Sequence, residues 1–130
     1  MKRVTGIGGV FFKTNDRKRM KEWYGKHLGF PIEDWGCSFK WKELDNLDAK
    51  APASTTWSPF SADTDYFAPS EKPFMFNYRV ENLVELLRVL KEEGVQIVGE
   101  MQEFPYGKFG WIMDPDGNKI ELWEPKDDGF

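Results

Sequence analysis

One thiol and one imidazole are the nucleophile and base available to this chain, Cys37 and His27. Thiolate catalysis would need the two in hydrogen-bond reach. Nothing else in the sequence marks either one. Cys37 opens an alternating stretch, Cys37-Ser38-Phe39-Lys40-Trp41-Lys42, where an inert thiol is the simple reading. His27 sits near the end of a helical pattern. A single cysteine makes no intramolecular disulfide, and this pair excludes the common structural zinc motifs. Gly6-Ile7-Gly8-Gly9 has the composition of a phosphate loop, but it lies inside a strand pattern and no helix starts there. The other chemically capable groups are aromatic: six Trp, four Tyr and eleven Phe in 130 residues.

Charge narrows the partners further. Eighteen basic and 22 acidic residues leave a net charge of −4, and no basic block stands out. That argues against nucleic acid, which needs a basic surface to release counterions, and against an acidic membrane. Arg17-Lys18-Arg19 and Glu92-Glu93 read as solvated helix faces. The apolar run 4–12 is followed at once by charges and no cleavage site, so a signal peptide is a poor fit. No stretch reaches the roughly 20 apolar residues of a spanning helix. A cytoplasmic protein is the expectation.

The elements that would position these groups follow from periodicity. Residues 4–13 read as a strand. Asn15 or Asp16 caps a helix through His27, with Met20, Trp23, Tyr24 and Leu28 on one face and Gly29 at its end. Residues 31–34 are a short strand candidate, 37–42 an alternating strand, 45–52 a polar irregular stretch and 54–60 a further strand. Residues 61–73 read as a linker containing two aromatics. Then 74–80 is a strand, and Glu81-Asn82 caps a helix carrying Leu83, Leu86, Leu87 and Leu90, ended by Gly94. Strands at 95–103, 107–113 and 119–124 follow, with the turn Asp114-Pro115-Asp116-Gly117-Asn118-Lys119 before the last. Residues 126–130 read as a frayed tail.

The pattern occurs twice. Asp16 and Asn82 open the two helices 66 residues apart, and Trp57-Ser58-Pro59 and Trp123-Glu124-Pro125 close the two halves at the same offset. An internal repeat decides the architecture before anything else. At roughly 100–200 residues per domain, residues 1–130 form one domain: a first module at about 4–60, the linker 61–73 and a second module at about 74–125.

The order, together with Trp23-Tyr24, Leu28-Gly29-Phe30 and the run Asp114-Pro115-Asp116-Gly117-Asn118-Lys119-Ile120-Glu121-Leu122-Trp123-Glu124, resembles the vicinal oxygen chelate superfamily. That group includes glyoxalase I, bleomycin-resistance proteins, extradiol dioxygenases and methylmalonyl-CoA epimerase. The resemblance covers about 4–125. It implies an α+β fold in which two βαβββ modules form a curved eight-stranded mixed sheet around a cavity, and a homodimer. It also implies a divalent metal acting as a Lewis acid on two adjacent substrate oxygens, held by four ligands from the first and last strands of each module. Carried onto this sequence, those positions are Gly9, Thr55 (or Thr56), Met75 and Glu121. Only Glu121 is a ligand of the usual kind, since glycine has no side chain and a thioether suits hard cations poorly. The expectation is a cavity without the metal centre, as in the bleomycin-resistance branch, and with no other cofactor.

Alternation then fills that cavity. Phe11 and Lys13 share a face with Gly9, Asn77 and Arg79 with Met75, and Trp123 with Glu121; Trp57 follows by the offset, and Trp111 faces inward. The resemblance places at Lys13 a cation that contacts a glutathione carboxylate in glyoxalase-type members. The plain alternatives stand beside these readings: Trp57 and Trp123 as core or dimer contacts, Met75 as a gap-filler, Lys13 and Arg79 as salt-bridge partners of Glu121 or Glu33. Three functions result. The first is a metal-free binder of a small organic molecule. The second is a glyoxalase-type isomerase or lyase with Glu121 as general base or an unusual metal site. The third is a dimerisation module with a filled cavity.

Overall fold

In the computed structural model, residues 2–41 and 53–126 are described. The polar stretch 45–52 and most of the tail, 127–130, lie outside them. The elements are β1 (Val4–Thr14), α1 (Arg17–Leu28), β2 (Cys37–Lys40), β3 (Ser54–Ser61), β4 (Phe74–Val80), α2 (Leu83–Glu92), β5 (Ile97–Phe104), β6 (Gly107–Met113) and β7 (Lys119–Pro125). Asp16 caps α1 by accepting from the Arg19 backbone N–H at 3.0 Å, and Asn82 caps α2 by accepting from that of Glu85 at 3.2 Å. Each side chain satisfies one backbone donor that a helix start leaves unpaired. Gly29 ends α1 in the left-handed region at φ 70°, a conformation glycine adopts without penalty.

The strands form one seven-stranded mixed sheet in the order β2-β3-β1-β4-β7-β6-β5. The first strands of the two halves, β1 and β4, pair antiparallel at its centre. Each is flanked by the last strand of its half in parallel, β3 on β1 and β7 on β4. The expected eighth strand at 31–34 does not form. There the chain turns back on itself, Glu33 N–H bonding to Gly36 O at 2.7 Å, and makes only an isolated bridge. Its counterpart in the second half, β5, has eight residues and pairs along β6. Three or four residues closed into a turn have no free edge left to offer a neighbour.

Both helices cover the same face of the sheet. On the β4–β7 side, Val80, Leu83, Leu86 and Leu122 form a buried aliphatic cluster under α2. On the β1–β3 side the packing is aromatic: the Trp57 ring lies 4.7 Å from Tyr24, 5.1 Å from Phe30 and 5.4 Å from Phe12. The opposite face holds Phe11, Met75 and Trp111, covered by Phe67. Phe67 belongs to residues 61–73, so the expected linker is a strap across that face. Its ends are pinned by Ala62 N–H to Thr14 O and by Lys13 N–H to Pro73 O, at 2.9 and 2.8 Å. Among the described residues no helix is long and apolar enough to cross a membrane.

Candidate functional site

Glu121 sits at the middle of the uncovered part of this face, 2% exposed. Strand register sets its surroundings. It pairs with Asn77 across β4–β7 and with Trp111 across β6–β7. Partners in register share a face, so the Asn77 amide donates to Glu121 Oε1 at 2.7 Å and the Trp111 indole N–H to Oε2 at 2.9 Å. The strap supplies a third donor, the Tyr66 hydroxyl, which also binds Oε2. Part of the Tyr66 ring meets solvent while its hydroxyl points inward. Burial first, then the charge of Glu121, holds that phenol well above its usual range, so it stays a donor. Lys119 Nζ donates to the Tyr66 backbone carbonyl at 2.7 Å and lies over the Tyr66 and Trp111 rings. Burial lowers the pKa of this ammonium, opposed by the charges of Glu121 and Asp65.

Glu121 borders two lobes of open space. One, of about 480 Å³, is lined by Gly8, Phe11, Trp35, Thr56, Asn77, Tyr106, Phe109, Glu121 and Trp123. The other, of about 340 Å³, shares Phe11, Tyr106, Phe109 and Glu121 and adds Phe60, Tyr66, Gln102, Phe104 and Trp111. The walls are ordered by ring contacts: Phe109 stacks on Trp123 at 5.8 Å, and Phe104 on Tyr106 at 5.4 Å. Gly8 matters for space, because a Cβ there would stand 2.1 Å from Asn77 Oδ1. This face is therefore not packed shut by tryptophans, as a filled dimerisation module would require.

Of the residues expected here, Phe11, Asn77, Glu121 and Trp123 line the larger lobe and Trp111 the smaller. Met75 is 1% exposed and lies beneath Phe67. Lys13 Nζ sits over the Phe67 ring. The Arg79 guanidinium lies 5.6 Å from the Trp41 ring and 5.2 Å from Trp123, and donates to Ser54 O at 3.3 Å. Neither cation forms an ion pair with Glu121.

Trp57 and Thr55 are corrections: both point to the helix face. Trp57 packs on α1, and Thr55 Oγ1 donates to Ile7 O at 2.8 Å while accepting from Trp41 Nε1 at 2.9 Å. The cause is register. Phe11 pairs with Ser58, 47 residues on, whereas Asn77 pairs with Glu121, 44 residues on. The difference of three is odd, and an odd slip turns every side chain to the other face. Ser58 and Phe60, not Thr55 and Trp57, therefore stand where Glu121 and Trp123 stand in the second half.

Several lining residues escaped the sequence reading. Tyr66 lies in the stretch expected as a linker, and its pairing with Phe67 is the local signal there. Trp35 lies in the turn before Gly36, and Tyr106 in the β5–β6 connection, where no periodicity operates. Cys37 and His27 do not meet. Cys37 is fully buried on β2, its thiol pushed up to about 11 by burial and then by Glu33. His27 packs on Trp23 at 5.0 Å on α1.

The donor set does not fit the four-ligand metal site. Of the four positions only Glu121 offers a ligand of the usual kind: Gly9 has no side chain, Met75 is covered, and of the two alternatives Thr55 faces away while Thr56 lines the cavity with a neutral hydroxyl. Among the described residues no three His, Cys, Asp or Glu come together in a group able to hold a metal ion.

Residues 6–122 match the Glyoxalase/Bleomycin resistance protein/Dioxygenase superfamily. The chain belongs to that superfamily. Solved structures agree at the level of fold. Methylmalonyl-CoA epimerase from Mycobacterium tuberculosis is 21% identical, with a TM-score of 0.63 over 97% of this chain and 91% of that one. A variant of the Streptomyces coelicolor methylmalonyl-CoA epimerase bound to 2-nitronate-propionyl-CoA is 12% identical, with a TM-score of 0.67 over 94% and 98%. A superfamily member from Vibrio splendidus 12B01 is 14% identical, with a TM-score of 0.55 over 95% and 99%. No curated protein matches the chain in sequence. Within the superfamily's fold, then, this member places one carboxylate and a ring of aromatics where its two halves meet.

Proposed function

We propose that this glyoxalase/bleomycin-resistance/dioxygenase superfamily member binds a small, planar organic molecule around Glu121, without the four-ligand metal centre. The observation that carries this is a single buried carboxylate on the wall of a largely aromatic cavity of about 480 Å³. That size lies within the roughly 300–1,000 Å³ usual for small-molecule sites, and a few polar groups among apolar walls is their usual make-up. Phe11, Asn77, Trp111 and Trp123 are the proposed contacts, and we place Lys13, Met75 and Arg79 behind them as support. We also propose that it acts as a homodimer, checked by light scattering on the purified chain.

A thermal-shift screen of planar ligands tests the binding reading, because a ligand of the folded state alone raises the melting temperature with its concentration. No shift with any planar class would end it. Stoichiometric metal in protein purified without chelator would end the metal-free part.

A second reading is favoured by the reach of Glu121 into both lobes: an isomerase or lyase in which this carboxylate removes a proton next to a carbonyl. The epimerase neighbours make methylmalonyl-CoA in D2O a fair assay. Deuterium uptake by the wild type and not by Glu121→Gln would support it. Equal uptake by both would remove Glu121 from the chemistry.

A further inference from the structure

This inference rests on the binding reading above and names the class of ligand. Among the described side chains that line the two lobes, Glu121 is the one carboxylate, and no Lys, Arg or His joins it. It is 2% exposed, and its three donors, Asn77, Trp111 and Tyr66, are all neutral. No Lys or Arg among the described residues lies within ion-pair distance of it; the salt bridges found join other residues. Lys119 feels its charge, but that ammonium is committed to the Tyr66 carbonyl and lies outside the cavity lining.

A second acceptor is also unmatched. An ionised carboxylate only accepts, so its bond to Glu121 fixes the Asn77 amide with Nδ2 toward Glu121 and Oδ1 away. That Oδ1 is buried without a hydrogen-bond partner. A buried charge and an orphaned carbonyl oxygen are each costly in a low-dielectric site, and both raise the negative potential there. The walls are of the kind that attracts cations: the Trp123 ring already holds the Arg79 guanidinium at 5.2 Å, and Trp35, Tyr106 and Phe109 line the same lobe.

We infer that this cavity takes an organic cation, an arylalkylamine whose ring lies among these side chains and whose ammonium meets Glu121. Three probes share an indole ring and differ in the charge of a short side chain: tryptamine, tryptophol and indole-3-acetate. Isothermal titration against the wild type should give tryptamine about tenfold tighter than tryptophol, with indole-3-acetate weakest. In Glu121→Gln the advantage of tryptamine over tryptophol should vanish. Equal affinities in the wild type, or preference for the anion, would overturn the cation inference and leave the binding reading standing. A tryptamine preference that survives in Glu121→Gln would overturn it too. Binding of none of the three would count against both. The wild-type series decides the matter even where the variant fails to fold.

Discussion

β3 and β7 hold the same place in the two halves, each running parallel beside the first strand of its half. Each carries a tryptophan followed two residues later by a proline, 66 residues apart. Yet Trp57 packs under α1 and Trp123 walls the cavity. Two side chains that look equivalent in the sequence thus serve opposite faces. A repeat in sequence is a statement about order along the chain; facing is a statement about register, and a three-residue difference in pairing is enough to reverse it. The helix face differs in kind as well, aromatic beneath α1 and aliphatic beneath α2.

The sharpest way to break this comparison is to truncate both tryptophans. Trp57→Ala and Trp123→Ala should each lower stability by about 3–5 kcal/mol in urea unfolding, as large-to-small changes in packed sites do. Only Trp123→Ala should weaken tryptamine binding in the fraction that remains folded. Weakened binding in Trp57→Ala would mean that Trp57 reaches the cavity after all. Next in size is Leu83→Ala, which removes the fully buried anchor of α2 and should cost about 2–5 kcal/mol. A cost near zero would show that the aliphatic cluster does not hold that helix down.

Tyr66→Phe should cost about 1.5–3 kcal/mol, the range for a hydrogen bond to a charged group. It also has a pH signature. The folded-state pKa of this phenol is raised above its ordinary value of about 10. Its contribution is therefore complete below about pH 10 and is lost as pH rises beyond it. The variant should be less stable at neutral pH and show a flatter decline above pH 10 than the wild type. Identical slopes would detach Tyr66 from Glu121. The smallest effects belong to the caps. Asp16→Ala and Asn82→Ala should each cost about 1 kcal/mol, because the two helix starts are built alike. A cost at one cap only would show that the likeness of the halves ends before their helices begin.

How much was legible follows from the range of each interaction. Asp16 and Asn82 were readable because a cap bonds a backbone group three residues away. Glu121 was readable because a turn motif leads into its strand. Phe11, Asn77 and Trp123 were placed by alternation along a single strand, which needs no partner. Trp57 and Thr55 were misplaced because an offset taken from one end of the repeat was carried to the other without the register of β3 on β1. Tyr66 and Tyr106 lie where the chain has no period to read, and the missing strand at 31–34 failed because too few residues were available once the turn had closed.

Composition, local pattern and the family resemblance carried by the motifs determined the kind of fold, the helix ends, the single histidine and the place of Glu121 on the last strand. These depend on which residues are present and on contacts a few positions apart. The tertiary structure alone decided which tryptophan faces the cavity, that residues 61–73 lie as a strap over the sheet, and that Glu121 is held by three neutral donors. Those depend on pairing between segments 44 and 47 residues apart. There one residue of slip exchanges the inside for the outside, and no local pattern records it.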